Sequence, residues 1–408
     1  MNPIVYALPV FMLTMLIEAM VARWRGVDTY DLPDTLTSLH LGVLSQVASA
    51  FTKVLGFGLY VAVYERFRTT DLPTDAAWLW VGALVLYDFL YYWVHRWGHE
   101  VNLVWAAHQV HHSSEYYNLS TALRQTSTGA FVVWPFFLLM AVLGVPPVVF
   151  GVVALIDLLY QYWVHTEMVG KLGWVDRVFV TPSNHRVHHG QNDYCIDKNY
   201  GGIFILWDRL FGTFAAERDH EQIFYGVRKP LASYNAVWGN CNVWRDLWRA
   251  SRAAWQQQGA SAAVAVWFGP PAGWGGTLEH LDTATLHRFD RATPASVRRY
   301  AFIQYAITVV CATHFIAIAP QLNWAVRAAY ALIITAGALS TGWLLEGRAR
   351  ARAIEAGRLV VVGGLFLALP LWFGWQAPPQ VKLAVTALLL TSLAWVAASG
   401  DRQPARDA

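Results

Sequence analysis

Apolar positions along the 408-residue chain run together in long stretches, separated by one extended polar interval. A helix that crosses a bilayer needs about 20 consecutive, mostly apolar residues. Stretches of that kind lie near 3–22, 41–65, 77–95, 129–145 and 147–165, and again near 300–319, 324–345, 357–375 and 380–398. The pattern predicts nine spans, five before the polar interval and four after it. Gly144-Val145-Pro146-Pro147 breaks the apolar run in the middle of the first block and reads as the tip of a tight helical hairpin. The opening MNPIVYALPVFMLTMLIEAMVARWR has no basic segment ahead of its apolar core, so it is expected to be a retained first helix rather than a cleaved signal peptide.

Composition strengthens this picture. The chain is 56% hydrophobic and only 14% charged, with 21 tryptophans, whereas soluble domains carry about a quarter charged residues. The expected fold class is all-α, a polytopic membrane helical bundle. A net charge of +3 without a basic run gives no reason to expect a nucleic-acid partner. Cys195, Cys241 and Cys311 are scattered and suggest neither a disulfide framework nor a thiolate metal site. The interval 166–299 is polar, aromatic and Gly-rich, with Lys and Arg throughout, and basic loops stay on the cytoplasmic side. The segment 346–358 and the C-terminal tail fall on that side too if the last four spans alternate, while Arg66 and Arg68 fall on the other.

Histidine supplies the candidate chemistry. WAAHQVHHSS (105–114) holds His108, His111 and His112, and SNHRVHHG (183–190) repeats the H-x-x-H-H spacing with His185, His188 and His189. YDFLYYWVHRWGHE adds His95 and His99 at a predicted helix end, and His165 closes the fifth apolar stretch. If 129–165 is a hairpin, nine of the fourteen histidines gather at one membrane surface. Residues four apart share a helical face, so His95 and His99 can point at one ion. In H-x-x-H-H the first and last rings pair in the same way, while the middle one turns about 100° away, toward a neighbouring ion. Neutral imidazole suits Fe, Zn, Cu or Ni. Eight or nine rings are too many for a single ion, so two metals are expected. His40, His220, His280, His287 and His314 have no partner spacing and are read as ordinary side chains. Glu100, Glu115 and Glu167 are candidates to orient the rings, and Asp88 and Asp157 lie two helical turns away, in the similar strings YDFLYYWVH and IDLLYQYWVH. Trp93, Trp97, Trp105, Trp163 and Trp174 read as an interfacial aromatic belt.

HRWGH, HQVHH and HRVHH, in that order, resemble the integral-membrane fatty acid hydroxylase/sterol desaturase superfamily of non-haem di-iron oxidoreductases. VNLVWAAHQVHHSSEYYNLSTALRQ, TPSNHRVHHGQNDYCIDKNYGGIFILWDRLFGTF and YGVRKP bring the chain nearer to its branch that acts on alkylglycerols. The resemblance is strong over roughly 75–230. It implies a catalytic region at 76–230, with N-terminal membrane helices at 1–75, a cytoplasmic connecting segment at 231–299, and C-terminal membrane helices with a short tail at 300–408. It also implies a monooxygenase that uses O2 and tetrahydrobiopterin, or another external electron donor, to hydroxylate the ether-linked carbon of a lipid, with two Fe ions at the site and Zn as the alternative. The implied ligand and catalytic positions are His95, His99, His108, His111, His112, His185, His188 and His189, and His165 joins them as a candidate metal ligand on its position alone. The expected partners are a lipid, O2, the membrane and a separate electron-donor protein, with the di-metal site under capping loops on the cytoplasmic side. NDYCIDKNYGGIFILWDRLFGTF reads as such a cap, with Trp207-Asp208-Arg209 packed against the site. A fatty acyl or sterol hydroxylase or desaturase on the same site is the nearest rival. A metal transporter would instead string ionisable residues through several spans.

Overall fold

A computed structural model describes residues 3–271, 280–283 and 285–398 of the chain. The described residues form α-helices and short helical turns with no strand, only three isolated backbone bridges. Six helical stretches among them are long and apolar enough to cross a membrane, and the chain is a multi-pass membrane protein. The described residues fall into two compact units, one built chiefly from 6–231 and 239–271, the other chiefly from 232–238 and 289–398.

In the first unit, α1 (Pro3–Arg25) leads into α2 (Leu32–Lys53), which continues through a wider turn at Val54–Gly58 into α3 (Leu59–Phe67). α4 (Ala77–Glu100) runs past the predicted end of its span, so His95 and His99 both lie in its last two turns. α5 (Asn102–His112) follows after a single extended residue, Val101, and α6 (Leu119–Ala122) is a single turn. Asn118 caps α6 by accepting from the Ser120 N–H at 2.9 Å, and Thr121 completes a reciprocal capping box.

The predicted hairpin forms, but its first arm is short. α7 (Trp134–Val142) has nine residues and α8 (Pro147–Trp163) has 17. At 1.5 Å per residue α7 covers about 14 Å, half of a hydrocarbon core, so 129–145 is not the full span expected of it. A short turn at Gly129–Phe131 and Pro135 near the start of α7 delay helix formation there. The hairpin tip is fixed by Gly144, which has φ +89° and sits where a Cβ would lie 2.1 Å from the Thr70 carbonyl oxygen. The Tyr60 hydroxyl donates to the Val145 carbonyl at 2.9 Å while its ring stacks on Phe150. Around them Leu79, Ala83, Met140, Val149 and Val153 form the core joining α3, α4, α7 and α8. α8 ends at Trp163, two residues before His165.

The polar interval is partly helical as well. α9 (Pro182–His189), α10 (Leu206–Phe211), α11 (Ala236–Gln258) and α12 (Ala260–Phe268) occupy it. The second unit carries α13 (Ala295–Ile318), α14 (Trp324–Leu345), α15 (Ala351–Ala368) and α16 (Pro379–Ala398). α15 stops before Leu369-Pro370, short of the predicted 375, because the residue ahead of a proline disfavours helical geometry.

Candidate metal centre

All nine singled-out histidines converge, in two groups. His95, His99, His108, His112 and His188 form one, and His111, His165, His185 and His189 the other. Within each group the candidate donor atoms all lie within 4.8 Å of one another. Helical periodicity accounts for the division. His108 and His112, four apart on α5, join the first group, while the intervening His111 turns into the second. α9 does the reverse: His185 and His189 join the second group and His188 the first. Each triplet thus serves both groups.

The rings face each other through Nε2. His95 and His112 bring Nε2 to 3.1 and 3.0 Å from Nε2 of His108. His111 and His185 bring theirs to 3.2 and 3.1 Å from that of His165. Nε2 of His99, His188 and His189 is buried without a hydrogen-bond partner. An orphaned, buried nitrogen is costly in a finished core, and a cation among these atoms removes that cost. An all-imidazole donor set of this kind fits first-row transition metals and zinc.

Four rings are aimed from behind by backbone carbonyls. Nδ1 of His95 bonds Tyr200 O at 2.8 Å, that of His111 bonds Arg124 O at 3.0 Å, that of His165 bonds Gln161 O at 2.7 Å and that of His188 bonds Lys198 O at 2.9 Å. A carbonyl only accepts, so each Nδ1 carries the hydrogen and each Nε2 keeps its lone pair. The carboxylates expected in this role face elsewhere. Glu100 accepts from Arg96 at 2.9 Å, Glu167 accepts from the Tyr225 hydroxyl at 3.0 Å, and Glu115 lies beside Gly226. Backbone oxygens orient the rings without adding negative charge to a buried site.

Burial also sets protonation. His108, His112, His185, His188 and His189 are held well below the ordinary imidazole range, first by desolvation and then by neighbouring imidazoles. His111 is pushed down to about 4, again chiefly by desolvation. Rings that are neutral at pH 7 are ready to donate to a cation.

Asp88 and Asp208 support the carbonyls. Asp88 on α4 accepts from the backbone N–H groups of Ile203 and Phe204 at 2.6 and 3.1 Å and from the Trp207 indole at 2.8 Å. Asp208 on α10 accepts from the N–H groups of Tyr200 and Gly201 at 2.7 and 2.8 Å. Between them they fix the loop that presents Tyr200 O to His95. Asp157 on α8 accepts from Gln161 at 2.6 Å and approaches the same loop at Gly202, where a Cβ would lie 2.6 Å from its Oδ1.

Three further residues hold the site and carry no spacing signal in the sequence. Arg124 is buried against Asp34, Ser38, Ser113 and Val110 O, and its own carbonyl holds His111. Arg186, inside HRVHH, pairs through two nitrogens with Glu217, both at 2.7 Å, and also donates to Thr166 O and Val169 O just beyond His165. Tyr117 stacks on Tyr225 and donates to Val164 O at 2.9 Å, with its ring against His165 and His189. Of the histidines set aside, His280 pairs with Asp193, and His314 meets the Tyr330 hydroxyl at 3.0 Å.

Comparison with known proteins matches residues 80–213, the stretch containing all nine histidines of the two groups, to the fatty acid hydroxylase family. The chain is 37% identical over 365 residues to alkylglycerol monooxygenase of Homo sapiens, covering 87% of this chain and 80% of that one. It is 36% identical over 403 residues to alkylglycerol monooxygenase of Danio rerio, covering 95% and 86%. An ornithine lipid hydroxylase of Rhizobium tropici is 32% identical over 139 residues, covering 32% and 40%. No solved structure matches the chain.

Proposed function

Because the chain belongs to the alkylglycerol monooxygenase family and is a lipid monooxygenase of the membrane, we propose that it is a di-iron enzyme that uses O2 to hydroxylate the ether-linked carbon of alkylglycerol-type lipids. One ion is held by His95, His99, His108, His112 and His188, and the other by His111, His165, His185 and His189. The observation that carries this reading is the division of nine imidazoles into two neighbouring groups with their donor atoms turned inward. When bound, the metal pair supplies the O2 activation that an unreactive C–H bond requires.

The protein's own contributions are positioning and exclusion of water. Backbone carbonyls hold the Nδ1–H side of four rings, and the loop of Lys198 and Tyr200 supplies two of them. Hydroxylation next to the ether oxygen gives a hemiacetal, which collapses to an aldehyde and a free alcohol. The second oxygen atom of O2 leaves as water, with two electrons from tetrahydrobiopterin or a separate donor protein. A site at the end of the apolar α4, and just beyond α8 where the polar interval begins, suits a lipid with its chain in the bilayer and its head in water. The basic character of 166–299 favours the cytoplasmic face.

Purified protein should hold about two metal ions per chain, identified as iron or zinc by elemental analysis. With O2, a tetrahydropterin and a labelled alkylglycerol it should release the aldehyde. His111→Ala should lose metal and turnover together, and unchanged metal content in that variant removes the ligand assignment. The similarity to an ornithine lipid hydroxylase favours a second reading, acyl hydroxylation on the same site. Product that keeps its hydroxyl, with no aldehyde, would select it.

A further inference from the structure

A surface of the first unit away from the histidine groups combines features that the proposed chemistry does not use. α11 and α12 are adjacent helices, and the C-terminal end of α12 is tied to the start of α5. The Asn102 backbone N–H donates to Gly269 O at 2.8 Å, and its side chain donates to Val266 O at 2.9 Å. Trp244 and Trp267 pack inward with Ala106, Leu247 and Val266. Two other indoles of α11 do the opposite: Trp248 is 66% exposed and Trp255 61%. They border a cleft of about 350 Å³ lined also by Ser251, Arg252, Ala263, Val264 and one side of Trp267.

Trp248, Arg252 and Trp255 are spaced i, i+4 and i+7, so they share one face of α11. Arg249 and Arg252 are exposed and, among the described residues, have no carboxylate partner. The nearby Asp246 is engaged by Arg245 and Lys229, both at 2.7 Å. Wide-open indole faces are poorly served by water, and the guanidinium groups beside them are free to take an anionic partner. In a membrane protein they suit the headgroup layer, where an aromatic ring meets acyl carbon and a cation meets phosphate. Guanidinium binds phosphate through two parallel hydrogen bonds. The apolar half of the cleft has no use for a free anion.

We propose that the cleft between α11 and α12 binds an anionic phospholipid of the host bilayer, with its phosphate on Arg252 and Arg249 and its glycerol and first acyl carbons against Trp248, Trp255 and Val264. The contact seats this pair of helices in the bilayer interface beside the helix that carries HQVHH.

Native mass spectrometry of the full chain in detergent, offered equal amounts of dioleoyl phosphatidylglycerol and dioleoyl phosphatidylcholine, tests it. Wild type should retain phosphatidylglycerol in preference. R249Q/R252Q should lose roughly 25-fold of that preference, fivefold per arginine near an anionic lipid, with metal content unchanged. W248A/W255A should retain less of both lipids. An undiminished preference in R249Q/R252Q overturns the proposal, as does unchanged lipid retention in W248A/W255A. Displacement of the lipid by millimolar inorganic phosphate would identify a soluble-anion site and overturn it too.

Discussion

Arg124 is almost fully buried, and its guanidinium is satisfied by one carboxylate, two hydroxyls and a carbonyl. Replacing it by methionine leaves Asp34 buried and uncompensated, a loss of about 3–5 kcal/mol. Thermal unfolding in detergent should show that drop. Metal content should fall with it, because the Arg124 carbonyl that holds His111 moves. Arg124→Lys restores the charge but not the fork, and should recover only part of either. His111 adds a pH dependence. An unfolded imidazole takes up its proton near 6.5, whereas His111 in the fold resists protonation down to about 4. Between those values the unfolded chain binds more protons than the folded one, so stability is lost as pH falls through that window and is level above it. Metal-free protein should melt at progressively lower temperatures from pH 7 to pH 5. A melting temperature indifferent to acid there would contradict the buried, neutral ring.

At the scale of elements, the loop of residues 199–205 depends on close approach. A methyl group at Gly202 would meet carboxylate oxygens of Asp157 and Asp88 at 2.6 and 2.8 Å. Gly202→Ala should therefore cost about 1–3 kcal/mol and shift Tyr200 O away from His95, read as a lower melting temperature and weaker metal retention. Much of the rest was legible beforehand. The 3.6-residue period alone separates His108 and His112 from His111, and His185 and His189 from His188. The four carbonyls that orient the rings were not legible, because a backbone acceptor leaves no residue identity behind. That is why glutamates were expected where Tyr200, Lys198, Gln161 and Arg124 supply peptide oxygens. The brevity of α7 was hidden for a related reason: apolar content persists through residues that form a turn instead of a helix.

For the whole molecule, apolarity marks the long spans but is silent on what joins them. In the second unit, Glu355 is buried and accepts from Tyr300 at 2.5 Å, Ser340 at 2.6 Å and two nitrogens of Arg358 at 2.7 Å. Arg358 reaches Gln304 at 2.7 Å, and Gln304 reaches Ser392 at 3.2 Å. The network therefore touches α13, α14, α15 and α16. Removing one member of a buried pair strands the other at a cost of about 3–5 kcal/mol, so Glu355→Ala should unfold at a markedly lower temperature. Glu355→Gln, which keeps the shape and loses the charge, should fall between.

The exchange of middle histidines between α5 and α9 makes the two centres interdependent. Fraying of either helix would withdraw donors from both groups at once, so the order gained on filling one group favours filling the other. Metal supplied at one equivalent per chain should then divide the population into empty and doubly filled molecules, with few in between.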